Sequence, residues 1–223
     1  LGEMASGMAH EINNPLTIIT GQIKYLEKVL DSDQFDKQIV KERLDRVASN
    51  VKRITQIITA LRRYSSDTPE EVETNLKISE VIERALSFCE KRTKELSVEI
   101  KASLPNDEIM VTGRALEINQ ALVNIINNAI DAASKEEARW VNLDITPHKS
   151  KVLIAISNSG QKINDVIIEK MYMPFFTTKD IGEGKGLGLS TAKGIIEAHD
   201  GEIRYMTDSE NTCFSISFPI TNS

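Results

Sequence analysis

Asn124-Ile125-Ile126-Asn127-Asn128-Ala129-Ile130-Asp131-Ala132 carries two kinds of side chain on one helical period. Asn124, Asn128 and Asp131 are spaced by four and three residues and share one face, while Leu122, Ile125, Ile126 and Ile130 pack elsewhere. Asparagine is a poor helix former, so a row of amides weakens a helix from Arg114 to Ala133 that could have been built more cheaply. An amide oxygen can ligate Mg²⁺ without a full charge, and an amide NH₂ can donate to a phosphate, so the row suits a metal-triphosphate ligand. A merely polar helix face is the competing reading, and the helix alone does not decide between them.

Downstream, Gly182-Glu183-Gly184-Lys185-Gly186-Leu187-Gly188-Leu189 runs into a helix that ends at His199. Glycines let backbone N–H groups approach a phosphate, and a following helix N-terminus adds the positive end of its dipole. The spacing is not that of a P-loop, and no strand precedes it as in a dinucleotide-binding turn. Just before it, Pro174-Phe175-Phe176-Thr177-Thr178-Lys179 pairs two aromatics with polar anchors, a pattern suited to clamping a lid or to anchoring a loop. Lys185 could touch phosphate or sit in solvent.

Upstream the pattern changes. Ile12, Leu16, Ile19, Ile23, Leu26 and Leu30 step by four and three, and a second seam follows at Leu44, Val47, Val51, Ile54, Ile58 and Leu61. Asp31-Ser32-Asp33-Gln34 interrupts them, which predicts an antiparallel hairpin with arms of roughly 40 Å. One pair of helices cannot cover both seams, so a partner hairpin and a dimeric four-helix bundle are expected. His10 lies two residues from both Met8 and Ile12 and projects away from the seam, toward solvent. Pro15 cannot donate to the carbonyl of Glu11 and costs about 3 kcal/mol inside a helix, which predicts a bend or local loosening beside His10.

Bulk properties narrow the function. A chain of 223 residues, 40% hydrophobic and 27% charged, fits two folded modules. Its net charge of -6 disfavours nucleic acid as a partner. Cys89 and Cys213 lie far apart without metal-binding companions and read as reduced packing residues. No apolar run is long enough to span a bilayer, so direct membrane contact by this segment is not expected. Because it starts at Leu1 within an amphipathic pattern, the sequence reads as a cytoplasmic piece of a longer chain, with any membrane anchor upstream.

The polar, proline-bearing stretch Ser65-Ser66-Asp67-Thr68-Pro69-Glu70 marks a boundary, giving a hairpin over 1–66 and a second domain over 67–223. In the latter, strands are predicted at Val72 to Leu76, Ser97 to Leu104, Val141 to Thr146, Val152 to Ser157, near Ile203 and at Phe214 to Phe218. Helices are predicted at Ile78 to Glu95, Arg114 to Ala133 and Asp165 to Met171, besides the one ending at His199. Gly201 suits a left-handed cap after that last helix, His148 a solvated hairpin turn, and Trp140 strand packing. The class is α+β: a mixed sheet with helices on one face, preceded by the helical hairpin.

Ala9-His10-Glu11-Ile12-Asn13-Asn14-Pro15-Leu16 resembles the H box of two-component sensor histidine kinases. Asn124 to Ala132 resembles their N box, Asn158-Ser159-Gly160 the first glycine box, Pro174 to Lys179 the F box, and Gly184 to Leu189 the second glycine box, all in the family's order. The resemblance implies a homodimeric hairpin phosphorylated on His10 and an α/β sandwich that binds ATP and Mg²⁺. It further implies transfer to an aspartate on the receiver domain of a response regulator, and dephosphorylation of that partner. Glu11 would take the proton from the other ring nitrogen of His10, and Asn14 would orient a hydrolytic water. Asn128, helped by Asn124, would hold Mg²⁺. Asp131, Asn158, Gly160, Phe176, Thr178, Lys179, Gly184, Gly186, Leu187 and Gly188 would line the nucleotide site, and Thr212 would reach adenine.

One departure bears on the base. The family's first glycine box usually reads Asp-x-Gly-x-Gly, with the aspartate accepting from the adenine amino group; here Asn158 and Lys162 take the first and last places. An amide oxygen can still accept, so ATP binding is expected to be intact or modestly weakened. Two other functions remain open: a signalling scaffold whose nucleotide domain is degenerate, and an ATP-gated clamp, which would have no use for an exposed phosphoacceptor.

Overall fold

The computed structural model describes residues 2–30, 37–64, 72–179, 184 and 186–221, without the side chains of 2–12, 30, 52–53 and 55–64. It divides into two compact units, Leu1–Pro69 and Glu70–Ser223. The stretch 65–70 expected as a linker, and the expected turn at 31–36, lie outside the described residues.

The first unit is a pair of helices, α1 (Gly2–Leu30) and α2 (Lys37–Tyr64). α1 continues as one helix through Pro15. Ile19 and Leu26 on α1, and Val40, Val47 and Ile54 on α2, are half-buried. Arg43 Nη1 donates to Gln22 Oε1 at 2.9 Å, and its guanidinium lies 4.3 Å from the centre of the Tyr25 ring. A second heptad row faces away from this contact: Leu16 and Ile23 are 44% and 45% exposed, and Leu44 and Val51 are 52% and 49% exposed. Among the described residues, the helix pair therefore leaves one of its apolar rows exposed.

The second unit begins with β1 (Thr74–Lys77), α3 (Ile78–Leu96), β2 (Glu99–Ser103), β3 (Met110–Gly113) and α4 (Ala115–Ala133). It continues with β4 (Trp140–His148), β5 (Lys151–Asn158), α5 (Asp165–Lys170), α6 (Gly188–Ala198), β6 (Glu202–Tyr205) and β7 (Thr212–Pro219). Five strands form one mixed sheet in the order β2-β4-β5-β7-β6, with β2 parallel to β4 and the remaining neighbours antiparallel. α3, α4 and α6 supply the core with Ile82, Ala85 and Cys89, with Ile118, Leu122, Ile125, Ile126 and Ile130, and with Ile196. Val141, Leu143, Ile154, Ile156 and Ile216 meet them from the sheet at alternate positions, and each such burial contributes about 2 kcal/mol.

Two details depart from the sequence reading. β3 was not anticipated; it pairs antiparallel with β1 in a separate two-stranded ribbon, and β1 begins at Thr74 rather than at the exposed Val72. The left-handed residue after α6 is Asp200, with φ of 52°. Gly201 serves another need, because a Cβ there would lie 2.6 Å from the carbonyl oxygen of Ser217 on β7.

His199 joins the end of α6 to the start of α4. Its Nε2 accepts the Arg114 N–H at 3.0 Å, so the ring proton sits on Nδ1, which donates to the Ile195 carbonyl at 2.7 Å. The predicted turn at His148 is a two-residue connection, Lys149-Ser150, between β4 and β5, and His148 is exposed. Both cysteines are buried and unbridged.

Candidate nucleotide-binding site

α4 presents its amide face to a cavity of about 870 Å³, the size of a nucleotide-scale pocket. Asn124, Asn128 and Asp131 all line it, while Ile125, Ile126 and Ile130 point into the core. Opposite stands the N-terminus of α6. Its cap residue Leu187 supplies no side-chain hydrogen bond, so the first N–H groups of the helix remain for an anion. Leu187, Gly188 and Leu189 line the cavity, and a Cβ on Gly188 would sit 3.9 to 4.0 Å from Asn124 and from Asn128 Nδ2. The amide row and the helix start thus converge on one place.

The segment before α6 is held to the glycine loop by backbone contact. Phe175 adopts φ of 69°, and a Cβ on Gly186 would fall 2.3 Å from the Phe175 carbonyl carbon and 2.7 Å from the Phe176 nitrogen. Only glycine fits there. A Cβ on Gly184 would similarly press on Thr177 Oγ1 at 2.7 Å. Phe176, Thr178, Lys179, Gly184 and Gly186 all line the cavity as the sequence anticipates, whereas Lys185 and 180–183 lie outside the described residues.

Asp131 is the electrostatic centre of the cavity mouth. It accepts from Lys179 Nζ on one side, and on the other from Arg92, whose Nε lies 2.9 Å from Oδ1. Its charge is therefore already matched, which leaves the neutral amide oxygens of Asn124 and Asn128 as the groups suited to Mg²⁺ beside a phosphate. Among the described residues no cluster of three His, Cys, Asp or Glu side chains could hold a metal without a nucleotide.

At the other end, Asn158 closes β5 and Thr212 opens β7, paired in register, 1% and 3% exposed respectively. Gly160 does not line the cavity but packs on Ala132, where a Cβ would approach the Ala132 Cβ to 2.6 Å. The Gly160 N–H donates to Asn158 Oδ1 at 2.8 Å. The oxygen expected to receive a base is thus already engaged, and Asn158 Nδ2 makes a long 3.5 Å bond to the Thr212 carbonyl. Thr212 Oγ1 donates to the Gln161 carbonyl at 2.7 Å. Lys162, placed in the first glycine box by the sequence, lines the cavity, whereas sequence reasoning missed Arg92, Asn127, Ile163 and Phe214, which line it too. Asn127 stood in the quoted motif next to Asn128, whereas Arg92 gave no local signal.

In the hairpin, His10 and Glu11 lie within α1 but their side chains, and so the expected solvent-facing orientation of His10, are outside the described residues. Asn14 is exposed.

A mixed five-stranded sheet backed by helices, with an amide row facing an uncapped helix start beneath a glycine loop, defines a nucleotide-binding domain, here following a helical hairpin. Comparison with family models is in accord: residues 1–70 match the His Kinase A (phospho-acceptor) domain, and residues 113–222 match the Histidine kinase-, DNA gyrase B-, and HSP90-like ATPase family. The chain belongs to the two-component histidine kinases, of which it is a catalytic core.

It is 33% identical over 207 residues to the sensor protein FixL of Bradyrhizobium diazoefficiens, covering 91% of this chain and 40% of that protein. With sporulation kinase A of Bacillus subtilis it shares 29% over 219 residues, 98% of this chain and 34% of that one. The chain thus spans less than half the length of these relatives. The crystal structure of histidine kinase ThkA in complex with response regulator TrrA superposes with a TM-score of 0.71 and 28% identity, covering 99% of this chain and 62% of that chain. The catalytic domain of ThkA alone covers 68% of this chain and 99% of its own, with a TM-score of 0.59 and 28% identity.

Proposed function

We propose that the chain autophosphorylates His10 from Mg-ATP and passes the phosphoryl group to an aspartate of a response-regulator receiver domain. The observation that carries this is the convergence of Asn124, Asn128 and Gly188 at the uncapped start of α6, in a chain whose other unit is a phospho-acceptor hairpin. Polyanion binding is what such a place does. Mg²⁺, held by Asn128 with Asn124, would supply charge neutralisation on the phosphate oxygens.

The chain's own groups then account for the transfer. A ring nitrogen of His10 attacks the γ-phosphorus, the bond to the β,γ-bridging oxygen breaks, and ADP leaves with that electron pair. Glu11 accepts the proton from the other ring nitrogen, which keeps the attacking nitrogen nucleophilic. In the second transfer an aspartate oxygen of the regulator attacks phosphorus and the N–P bond breaks, returning His10 to its starting state. Asn14 lies four residues after His10 on the same helix face and would orient water for dephosphorylation of the regulator.

The exposed row of Leu16, Ile23, Leu44 and Val51 supports a homodimer, since a second hairpin would cover it. No described helix is long and apolar enough to cross a membrane, and dependence on ATP supports a cytoplasmic place for this segment.

Incubation with γ-labelled ATP tests the reading. Acid-labile, alkali-stable label that vanishes in His10→Gln supports it. Absence of label in a folded dimer sinks it in favour of the scaffold.

A further inference from the structure

The chain that leaves β5 is stapled to the sheet one strand at a time. Asn158 ends β5 itself, Thr212 Oγ1 on β7 donates to the Gln161 carbonyl at 2.7 Å, and Tyr205 Oη on β6 accepts the Ile163 N–H at 3.1 Å. Residues 159–164 therefore pass from β5 over β7 to β6, in the order of the sheet itself. Asn158 and Thr212 line the cavity, whereas Tyr205 stands outside it.

What Tyr205 touches does line it. Ile163 is one such residue; Phe214 is another, directly opposite Tyr205 on β7, with the two rings edge to face at 5.5 Å and 62°. Ile163 leads through Asn164 into α5, whose first turn is capped by Asn164 Oδ1 accepting the Ile167 N–H at 2.9 Å. None of the six residues of α5 is fully buried, so little packing holds this helix and its place follows from the way the chain enters it. Ile167 and Met171 also line the cavity. The entry at Ile163 thus places three apolar side chains at once.

We infer that Tyr205 is a positioning residue for nucleotide binding: its hydroxyl holds Ile163, and with it the start of α5, at the cavity wall. This rests on the reading of the cavity as the Mg-ATP site. Dispersion contact between that wall and a ligand weakens over a fraction of an ångström, so a small drift of the wall is felt in affinity. Tyr205→Phe keeps the ring against Phe214 and removes only the acceptor. The Ile163 N–H must then turn to water, and the chain moves with it. No hydrogen bond or ion pair among the described residues links Tyr205 to Asn124, Asn128 or the start of α6, so transfer from a nucleotide already bound is left as it was.

The test follows autophosphorylation of the 223-residue chain, of Tyr205→Phe and of Tyr205→Leu over a range of Mg-ATP, with calorimetric titration of the same preparations. Tyr205→Phe should raise both KM and Kd for Mg-ATP by roughly three- to tenfold, with the rate at saturating nucleotide unchanged. A merely structural role would lower the active fraction, and so the rate, without moving KM. Tyr205→Leu, which loses the ring as well, should bind at least as weakly. Wild-type KM and Kd in Tyr205→Phe overturn the inference, whether or not Tyr205→Leu is impaired, and so does a loss confined to the saturating rate. Should Tyr205→Phe not fold, exchange of the Ile163 amide proton in the wild type decides: slow exchange supports the bond as the holding contact, and exchange as fast as in an open loop overturns it. No binding of Mg-ATP to the wild type at millimolar concentration overturns the nucleotide site itself, a failure distinct from that of Tyr205.

Discussion

Gly186 lies flat on the peptide that leaves Phe175: a Cβ at Gly186 would overlap the Phe175 carbonyl carbon at 2.3 Å, and both residues have positive φ, 62° and 69°. Gly186→Ala must therefore push the glycine loop off the aromatic segment as well as strain its own backbone. The expected destabilisation is about 1 to 3 kcal/mol, with nucleotide affinity reduced by roughly tenfold or more. Urea unfolding and calorimetric titration of the variant check the two effects separately, and a wild-type affinity would show that this contact does not shape the site.

Asp131 holds Arg92 and Lys179 together at the mouth of a cavity read here as receiving a triphosphate. Asp131→Asn removes a negative charge and releases two cations toward the ligand. Affinity for Mg-ATP should rise by about fivefold at low salt, and the gain should shrink as salt screens it. Titrations at two ionic strengths decide; weaker binding at both would mean that Asp131 positions Lys179 for the ligand rather than competing for it.

His199 ties two helix ends with two buried hydrogen bonds, accepting from the Arg114 N–H and donating to the Ile195 carbonyl. His199→Ala leaves both backbone groups without that partner and opens a void beside Gly113, whose missing Cβ would have met the ring at 2.6 Å. A loss of about 3 kcal/mol is expected from chemical unfolding. A variant as stable as the wild type would mean that neither hydrogen bond of the ring holds the two helix ends together.

The helical parts of this architecture were legible because their periods are long. The amide row of α4 and the seams of α1 and α2 repeat over several turns, so a single side chain out of pattern does not obscure them. β3 has only four residues, ends on Gly113, and exists because β1 lies across from it, which no local pattern announces. Arg92 was invisible for a related reason: it sits on α3, 39 residues from Asp131, where an arginine reads as ordinary surface. The orientation of the Asn158 amide was not anticipated: its oxygen was expected to accept from a base, whereas in the structure it accepts from the Gly160 N–H two residues on. What the residues alone could not give was the burial that locks it.

Cys89 supplies a pH signature of the packed core. Burial pushes its thiol from 9.0 up to about 11, against a smaller lowering by Arg92. The folded protein therefore keeps this proton at pH values where the unfolded chain has lost it. Stability from this group is fully present below pH 9 and is lost as pH rises through 11, by about 3 kcal/mol in total. Tyr172, which burial pushes up to about 12, steepens the decline above pH 10. Cys89→Ala removes the thiol's share, so unfolding free energies measured from pH 8 to 11 should fall less steeply for the variant than for the wild type. Identical slopes would mean that the core around α3 admits the thiolate despite the burial of Cys89.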